Sequence, residues 1–388
     1  RNRNKLAHSV PVLSLFAEPH RVDKAEKVAR ALAGLGLGEQ RVLERKLRED
    51  KHFIWLARKL DQDVVESIRA LRLPGLAFKR EDERRYPNGA MAANLIGFAG
   101  IDEEGLEGVE YEHEESLSAI PGMKLVLSGP GGLEVPNSTV VVRPPEGGHH
   151  LCLTIDDVIQ HLAEKEVQKI FEKWQPKSCF IIVQAPKSGE ILALAVRPTF
   201  NPNRYSSYPN WSYKNRAITD IYEPGSVFKV VTASAALEDE RVTPDTSFHC
   251  PGFVKVYGLS IGCTAVHGTI TIRQAIEKSC NAVMAKVGRL VGPESLYYYI
   301  RKFGFGEKTG VALPGEAFGL LRSLNEWSGI SSSAISIGQE IGVTGIQMVT
   351  AMSVIANGGS LVKPQIIRRI LSHDQSKVIR KAQVDFKR

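Results

Sequence analysis

A serine and a lysine three residues apart have the clearest chemical potential in the chain. Ser226 and Lys229 lie in YEPGSVFK, directly after a Pro-Gly turn and before an apolar run that favours a helix. If Ser226 begins that helix, Lys229 stands beside it on the same face. A serine hydroxyl becomes a nucleophile when a base takes its proton, and a lysine whose pKa is lowered by burial is such a base. The first N–H groups of the helix would favour an oxyanion close to the serine.

A second polar pair supports this chemistry. Ser279 and Asn281 lie in KSCNAVMAKVG, at the start of another predicted helix. They would supply a hydroxyl for proton transfer and an amide that both donates and accepts hydrogen bonds. Helix capping beside an unrelated surface lysine is the alternative interpretation of both pairs. Cys280, between the second pair, is expected to point into the helix packing.

The first part of the chain, residues 1–148, mixes predicted helices and strands. Periodicity and flanking turns predict a strand in HFIWLAR and helices over 22–35, 39–49 and 61–71. The segment RPPEGGHH, residues 143–150, strongly interrupts regular structure. We therefore predict a domain boundary there, between residues 1–148 and residues 149–388.

The second part reads as an α/β or α+β domain. A long amphipathic helix is predicted in DDVIQHLAEKEVQKIFEKW, followed by a hairpin in CFIIVQAPKSGEILALAVRP with its turn at PKSG. Further helices are predicted near 272–288, 295–302 and 344–357. The whole chain is thus predicted to be a multidomain α+β protein.

Composition and charge exclude several classes of protein. The 388 residues are 43% hydrophobic and 24% charged, which is typical of globular domains. The formal net charge is +7, but basic residues are interleaved with 43 acidic ones, which argues against nucleic-acid binding. No apolar run approaches the roughly 18–20 residues that cross a bilayer. The sequence shows no signal-peptide pattern and starts without methionine, so we expect an excerpt whose N-terminus has been removed.

The cysteines leave two alternatives open. Cys250 and Cys263 lie nearly symmetrically about a predicted turn at Tyr257-Gly258, so a hairpin would bring them close enough for a disulfide in an oxidising compartment. A zinc site that also uses His249 and His267 is the other alternative, but the ligand spacing fits no usual zinc pattern, and the expectation is a disulfide or two free thiols. Two further cysteines in strand-like runs are expected to be buried: Cys152 and Cys179.

The two polar pairs belong to a wider resemblance. SxxK within NRAITDIYEPGSVFKVVTASAALE and SCN within AIEKSCNAVMAKVG resemble the first two active-site motifs of penicillin-binding proteins. This family shares its serine-acylating architecture with the serine β-lactamases. The similarity continues through IIVQAPKSGEILALAVRPTFNPN, FGFGEKTGVALPGE and SIGQEIGVTGIQMVTAMSVIANGGSLVKP.

The upstream segment RRYPNGAMAANLIGFAGIDEEGLEGVEYEHEESLSAIPG is similar to the non-catalytic pedestal of class B, monofunctional members. TDIYEPGS is closer to their division and sporulation type than to their elongation type. The resemblance implies a dimerisation-type pedestal over 1–148 and a transpeptidase domain over 149–388, with helices around an antiparallel sheet and its last strands beyond residue 388.

The resemblance also implies an activity, peptidoglycan D,D-transpeptidation through a serine acyl-enzyme. Ser226 would attack the bond between the terminal D-alanines, Lys229 would take its proton, Ser279 would relay a proton and Asn281 would position Lys229 and substrate. β-Lactams would acylate the same serine, and no cofactor or metal is implied. Rapid hydrolysis, as in a D,D-carboxypeptidase or β-lactamase, would need an activated water, and no glutamate in a suitable motif is found.

The place and partners follow from the same resemblance. The chain is expected at the extracytoplasmic face of the bacterial cytoplasmic membrane, with an N-terminal anchor outside this sequence, and in septal cell-wall synthesis. Its expected partners are peptidoglycan stem peptides, β-lactams, a membrane-embedded cell-wall polymerase and division proteins, without nucleic acid.

Two departures from the family pattern are visible. The third family motif, Lys-Thr/Ser-Gly on a strand, is expected beyond residue 388, and the KTG at Lys308, Thr309 and Gly310 is expected to be a surface loop. A catalytically incomplete β-lactam-binding or scaffold protein is therefore the alternative function. Glu340 stands where the family commonly has glycine, and it is expected to be a solvated neighbour of the site rather than an influence on its strand.

Overall fold

The computed structural model describes residues 4–127, 138 and 140–387. The chain divides into two compact units. The smaller contains residues 5–89 and 98–104, and the larger contains residues 90–97 and the chain from 105 onward. Among the described helices, none combines the length and the apolar character that crossing a membrane would require.

The smaller unit is built on a three-stranded antiparallel sheet with its first strand in the centre. Its elements are β1 (His8–Ala17), α1 (Ala25–Gly34), α2 (Gln40–Leu47), β2 (Ile54–Leu60), α3 (Gln62–Ala70), β3 (Leu76–Arg85) and β4 (Phe98–Ala99). Val28 and Leu32 lie one turn apart on α1 and pack with Leu15 of β1 in one core. The predicted helices and strand of this region are confirmed.

The larger unit combines helices with antiparallel strand pairs. Its helices are α4 (Ala93–Ile96), α5 (Gly108–Glu112), α6 (Glu114–Leu117), α7 (Asp157–Trp174), α8 (Arg216–Thr219), α9 (Lys229–Glu238), α10 (Ile272–Glu277), α11 (Asn281–Val291), α12 (Pro293–Lys302), α13 (Ser331–Ile335) and α14 (Gly345–Ala356). Its strands are β5 (Gly105–Glu107), β6 (Met123–Leu125), β7 (Val140–Arg143), β8 (His150–Leu153), β9 (Cys179–Gln184), β10 (Ile191–Arg197), β11 (Ser247–Cys250), β12 (Phe253–Val256), β13 (Leu259–Gly262), β14 (Gly268–Thr271), β15 (Leu361–Val362), β16 (Ile367–Leu371), β17 (Val378–Lys381) and β18 (Phe386–Lys387).

The strands pair in register as the turns require. β9 and β10 form the predicted hairpin, with Gln184 opposite Ile191. β8 pairs with β16, which also pairs with β17, while β11 pairs with β14 and β12 with β13. All these pairings are antiparallel, and the helices lie against them. The predicted α+β fold class is confirmed.

The main core of the larger unit surrounds α11. Val283, Met284 and Val287 of this helix are fully buried, together with Val231 of α9. A Cβ atom on Gly288 would lie 1.5 Å from Ser336 Oγ, so glycine lets α11 approach the segment after α13 closely. Burial of one apolar face on each helix thus fixes α9 and α11, which carry the two polar pairs.

The predicted helix near 272–288 is wrong in its middle. The structure has two helices there, with α10 ending at Glu277 and α11 beginning at Asn281. Ser279 has a left-handed backbone with φ of +51°, which a continuous right-handed helix does not admit. The N–H of Val283 donates to Cys280 Sγ at 3.5 Å, so the cysteine caps the second helix.

Candidate active site

A tight turn places Ser226 against Lys229. Residues Gly225–Phe228 form a 3₁₀ turn that leads into α9, and side chains three residues apart are eclipsed in that geometry. Ser226 is exposed, whereas Lys229 is only 2% exposed. Lys229 Nζ lies 3.1 Å from Ser226 Oγ. The predicted contact between the two side chains is confirmed, although the serine lies in a 3₁₀ turn and not in the α-helix.

The break between α10 and α11 completes the site. Lys229 Nζ donates to the backbone oxygen of Ser279 at 2.7 Å, to Ser279 Oγ at 2.9 Å and to Asn281 Oδ1 at 2.6 Å. The left-handed backbone of Ser279 lets one residue direct two oxygens at the same nitrogen. All four residues singled out in the sequence therefore meet around Lys229 Nζ.

The orientation of the Asn281 amide is fixed by a second contact. Its Nδ2 donates to the backbone oxygen of Gly262, at the end of β13, with a distance of 3.0 Å. Because the nitrogen is held there, the amide oxygen is the atom that faces Lys229. The backbone of Gly262 thus helps to position the lysine, a role that the sequence did not reveal.

The surroundings of Lys229 favour its neutral form. Burial lowers the pKa of Lys229 below its ordinary value, while negative charge on the sulfurs of Cys263 and Cys280 would raise it. Among the described residues, the hydrogen-bond partners of its Nζ are a carbonyl, an amide and two hydroxyls. A neutral amine has two hydrogens, which the carbonyl and the amide oxygen can take, and its lone pair is then left for a hydroxyl proton. This arrangement suits a general base.

The turn of the nucleophile is fixed by a strand-like bridge and a glycine. Tyr222 and Val343 exchange two backbone hydrogen bonds, of 3.0 and 2.9 Å, and Gly225 N donates to Gly338 O at 3.0 Å. Gly338 has φ of +79°, and a Cβ on it would lie 2.1 Å from Gly225 O. Position 338 therefore requires glycine, both because its φ is positive and because a Cβ atom would clash with Gly225. The sequence analysis missed Gly338, for which its place two residues before Glu340 was the available signal.

The expectation for Glu340 is wrong. Its carboxylate accepts from Arg322 at 2.7 Å and from Ser331 Oγ at 2.8 Å, so it is an ion-paired and partly buried group. Its backbone N–H donates to the Glu223 carboxylate at 3.0 Å, just before the turn of Ser226. The φ of Glu340 is +59°, which explains the preference for glycine expected from the family pattern.

The KTG segment is confirmed as a surface loop. Lys308 is exposed, and its Nζ lies 5.1 Å from the ring centroid of Phe318. The N–H and hydroxyl of Thr309 donate to Glu316 at 2.6 Å, and Gly310 N donates to the same carboxylate at 3.1 Å. Lys308 and Thr309 line a small cavity whose lining includes none of the four site residues.

The predicted cysteine hairpin is present. β12 and β13 pair around Tyr257 and Gly258, which have φ of +44° and +81°, as a two-residue hairpin turn requires. All five cysteines are free thiols in the structure. Cys280 is buried as expected, but its Sγ also lies 3.7 Å from Cys263 Sγ.

Two cysteines differ from expectation because of their strands. Cys152 and Cys179 are only partly buried and not fully buried. Cys152 belongs to β8, at the edge of its three-stranded sheet, and Cys179 belongs to β9 of a two-stranded sheet. Strands at a sheet edge leave part of their side chains open to solvent.

Comparison with known families matches both parts of the chain. Residues 179–387 match the penicillin binding protein transpeptidase domain, and residues 1–153 match the penicillin-binding protein dimerisation domain. Stage V sporulation protein D of Bacillus subtilis is 32% identical over 98% of this chain and 60% of its own length. Peptidoglycan D,D-transpeptidase FtsI of Escherichia coli is 30% identical over 95% of this chain and 63% of its own length. The chain thus spans about three fifths of the length of these relatives.

Solved structures show the same fold. A peptidoglycan synthetase from Bifidobacterium adolescentis superposes with a TM-score of 0.76 and 28% identity, over 98% of this chain and 74% of that one. Penicillin binding protein 3 from Mycobacterium tuberculosis, complexed with aztreonam, gives a TM-score of 0.70 and 32% identity, over 79% of this chain and 65% of that one. The chain contains both a dimerisation domain and a transpeptidase domain, and the serine and the asparagine of its two motifs contact the side-chain nitrogen of the motif lysine. The protein therefore belongs to the class B penicillin-binding proteins.

Proposed function

We propose that this protein is a peptidoglycan D,D-transpeptidase that works through an acyl-enzyme on Ser226. The observation that carries the proposal is the buried Lys229 Nζ, which lies 3.1 Å from Ser226 Oγ and is hydrogen-bonded to Ser279 and Asn281. A buried amine that has no carboxylate partner among the residues the structure describes, next to an exposed serine, is an activated nucleophile–base pair. Residues 1–148 are proposed as the pedestal and residues 149–388 as the transpeptidase domain.

In the first step the lone pair of Lys229 takes the proton of Ser226. The serine oxygen attacks the carbonyl carbon between the two terminal D-alanines of a stem peptide, and the carbonyl oxygen becomes an oxyanion. The backbone N–H of Ser226, in the 3₁₀ turn that leads into α9, is one proposed donor to that oxyanion.

In the second step the peptide bond breaks. The protonated Lys229 donates through Ser279 Oγ, 2.9 Å away, to the nitrogen of the departing D-alanine. The amine of a neighbouring stem peptide then attacks the ester on Ser226 and gives up a proton by the reverse path, which restores the free serine and forms the cross-link. Asn281 holds Lys229 between the two serines throughout.

The proposed setting follows the relatives. The substrate is the peptidoglycan stem peptide, and β-lactams acylate the same serine, as the solved complexes of the mycobacterial relative with aztreonam and ampicillin suggest. The site would lie at the extracytoplasmic face of the cytoplasmic membrane, in septal or spore-wall synthesis. A membrane-embedded cell-wall polymerase and division proteins are the proposed partners.

One observation favours a second candidate function, a β-lactam-binding protein that does not turn over. The KTG at 308–310 belongs to a loop that binds Glu316, so it does not serve as the family's third motif on a strand. A protein with nucleophile and base alone would still form an acyl adduct.

Intact mass after incubation with a penicillin tests the nucleophile. The chain should gain the mass of one penicillin, Ser226→Ala should gain none, and Ser234→Ala should react like the parent. Ser234 is a matched control because it lies on α9, directly after the turn of Ser226, and donates to Val230 O at 2.8 Å. An adduct on Ser226→Ala would overturn the proposal.

Exchange of a labelled D-amino acid into a stem pentapeptide separates the two functions. Exchange that depends on Ser226 supports the transpeptidase. Penicillin acylation without exchange, in the full-length protein, would support the second function and contradict the first.

A further inference from the structure

Three cysteines and a histidine meet beside the proposed active site. Cys250 ends β11, Cys263 follows β13, His267 precedes β14 and Cys280 caps α11. One ligand atom from each, the three Sγ atoms and an imidazole nitrogen, lies within 4.8 Å of every other. Four separate points of the chain thus bring soft sulfur and nitrogen donors to one small volume.

Three of the distances between these atoms are close to those of a tetrahedron around a zinc ion. Zn–S bonds of about 2.3 Å hold sulfurs about 3.8 Å apart, and a Zn–N bond of about 2.0 Å sets sulfur and nitrogen about 3.5 Å apart. Cys263 Sγ lies 3.7 Å from Cys280 Sγ and 3.6 Å from His267 Nδ1. Cys250 Sγ lies 3.7 Å from the same nitrogen. The fold thus presents the donors at the separations that the ion would impose.

Burial and backbone donors fit the same interpretation. Cys250 and Cys280 are fully buried, while Cys263 and His267 are partly exposed and leave a path for an ion. Backbone N–H groups of Asn281 and Ala282 contact the Cys263 sulfur. Such donors are the usual outer partners of a thiolate ligand.

We propose that Cys250, Cys263, His267 and Cys280 bind a structural Zn²⁺ ion. A set of four protein ligands leaves no open position, which is the mark of a structural rather than a catalytic zinc. The three thiols lose their protons to solvent when the ion binds, and no electron is transferred. A disulfide would use two of these sulfurs and leave the third thiol and the imidazole without a role.

The ion would join elements that position the active site. Cys280 lies between Ser279 and Asn281, both of which contact Lys229 Nζ, and Gly262 O, which holds the Asn281 amide, is next to Cys263. Zinc would therefore fasten the chain between β13 and β14 to the start of α11. The four ligands are positioning residues and do not touch substrate.

Metal analysis of the full chain tests the proposal. Protein purified under reducing conditions with zinc in the growth medium should hold about one zinc per chain after gel filtration. Cys250→Ser, Cys263→Ser and His267→Gln should each weaken zinc binding by more than the roughly 10–100-fold typical of outer-shell changes. Cys152→Ser is the matched control, because Cys152 is a free thiol outside the cluster, and it should keep the metal.

Cobalt binding by the parent chain tests the proposal even where the substituted variants fail to fold. The parent chain loaded with Co²⁺ should show intense visible bands of a tetrahedral centre and a thiolate charge-transfer band in the near ultraviolet, and zinc should abolish both. A parent chain that holds no more zinc than Cys263→Ser, or whose Co²⁺ spectrum is that of the hydrated ion, would overturn the proposal. So would a non-reduced mass that shows a disulfide within the cluster in zinc-replete protein.

Discussion

Replacing Asn281 by aspartate changes one property of the site, its charge. Asn281 Oδ1 accepts a hydrogen bond from Lys229 Nζ at 2.6 Å, and an aspartate of nearly the same shape puts an anionic oxygen there. Within the described part of the chain the amine has no carboxylate partner, and burial lowers its pKa. An opposite charge within hydrogen-bonding reach favours the ammonium form and raises the pKa by about 1–3 units. Asn281→Asp is therefore expected to turn the base into a salt-bridged cation.

The size of the effect follows from the neutral fraction. At a pH below the pKa of Lys229, each unit by which that pKa rises lowers the fraction of neutral amine tenfold, which corresponds to about 1.4 kcal/mol. At a pH below the pKa of Lys229 in the parent, acylation should therefore fall about 10–1000-fold. The loss should be recovered as the pH is raised, because the amine is again neutral above its new pKa. The rising limb of the pH–rate profile moves up by the same 1–3 units.

The assay is the second-order rate of acylation by a fluorescent penicillin, measured across pH for the parent, Asn281→Asp and Asn281→Ala. The alanine variant loses the contacts to Lys229 and Gly262 without gaining a charge, so its rate should fall with no upward shift of the profile. An aspartate variant that is slower by the same factor at every pH would refute the role of Lys229 as a neutral base.

Three further predictions use other parts of the structure. Lys229→Arg keeps a permanent cation and should lower the acylation rate by about 10²–10⁴, so a rate within tenfold of the parent would contradict the mechanism. Burial holds the pKa of Lys229 below 10.5 in the folded state, so the free energy of unfolding should rise with pH between that lowered pKa and about 10.5. Urea titrations of Lys229→Met should lose this rise. A rise that is unchanged in the variant would have to come from another group. Gly338→Ala should displace Gly225 and slow acylation in a protein that still folds, and a normal rate would show that the turn adapts. Glu316→Ala leaves the N–H groups of 309–310 without their carboxylate and should lower the free energy of unfolding by about 1–3 kcal/mol, which a thermal or urea melt with an unchanged midpoint would exclude.

Short sequence patterns correctly predicted the features that depend only on residues close together along the chain. The contact of Ser226 with Lys229 needs only a helical turn, and the hairpin about Tyr257 needs only two residues that accept positive φ. Both were therefore available from short stretches of sequence. The break at Ser279 was not, because a left-handed residue inside a helix-forming run depends on Cys280 capping the next helix.

Long-range packing decided the rest. Ser279 and Asn281 reach Lys229 because α9 and α11 share one core. The spacing of residues along the chain does not indicate which helices pack together. Resemblance to a known family supplied it instead. The ligand cluster was missed for the same reason, since Cys280 comes from a different element than the hairpin that suggested Cys250 and Cys263.

The left-handed backbone at Ser279 limits how this position can evolve. Threonine would keep the hydroxyl, but a β-branched side chain is strongly disfavoured at a φ of +51°. Glycine and asparagine accept that backbone but bring no hydroxyl. No replacement satisfies both requirements, so variation in the site is expected at the residues around Ser279 and not at Ser279 itself.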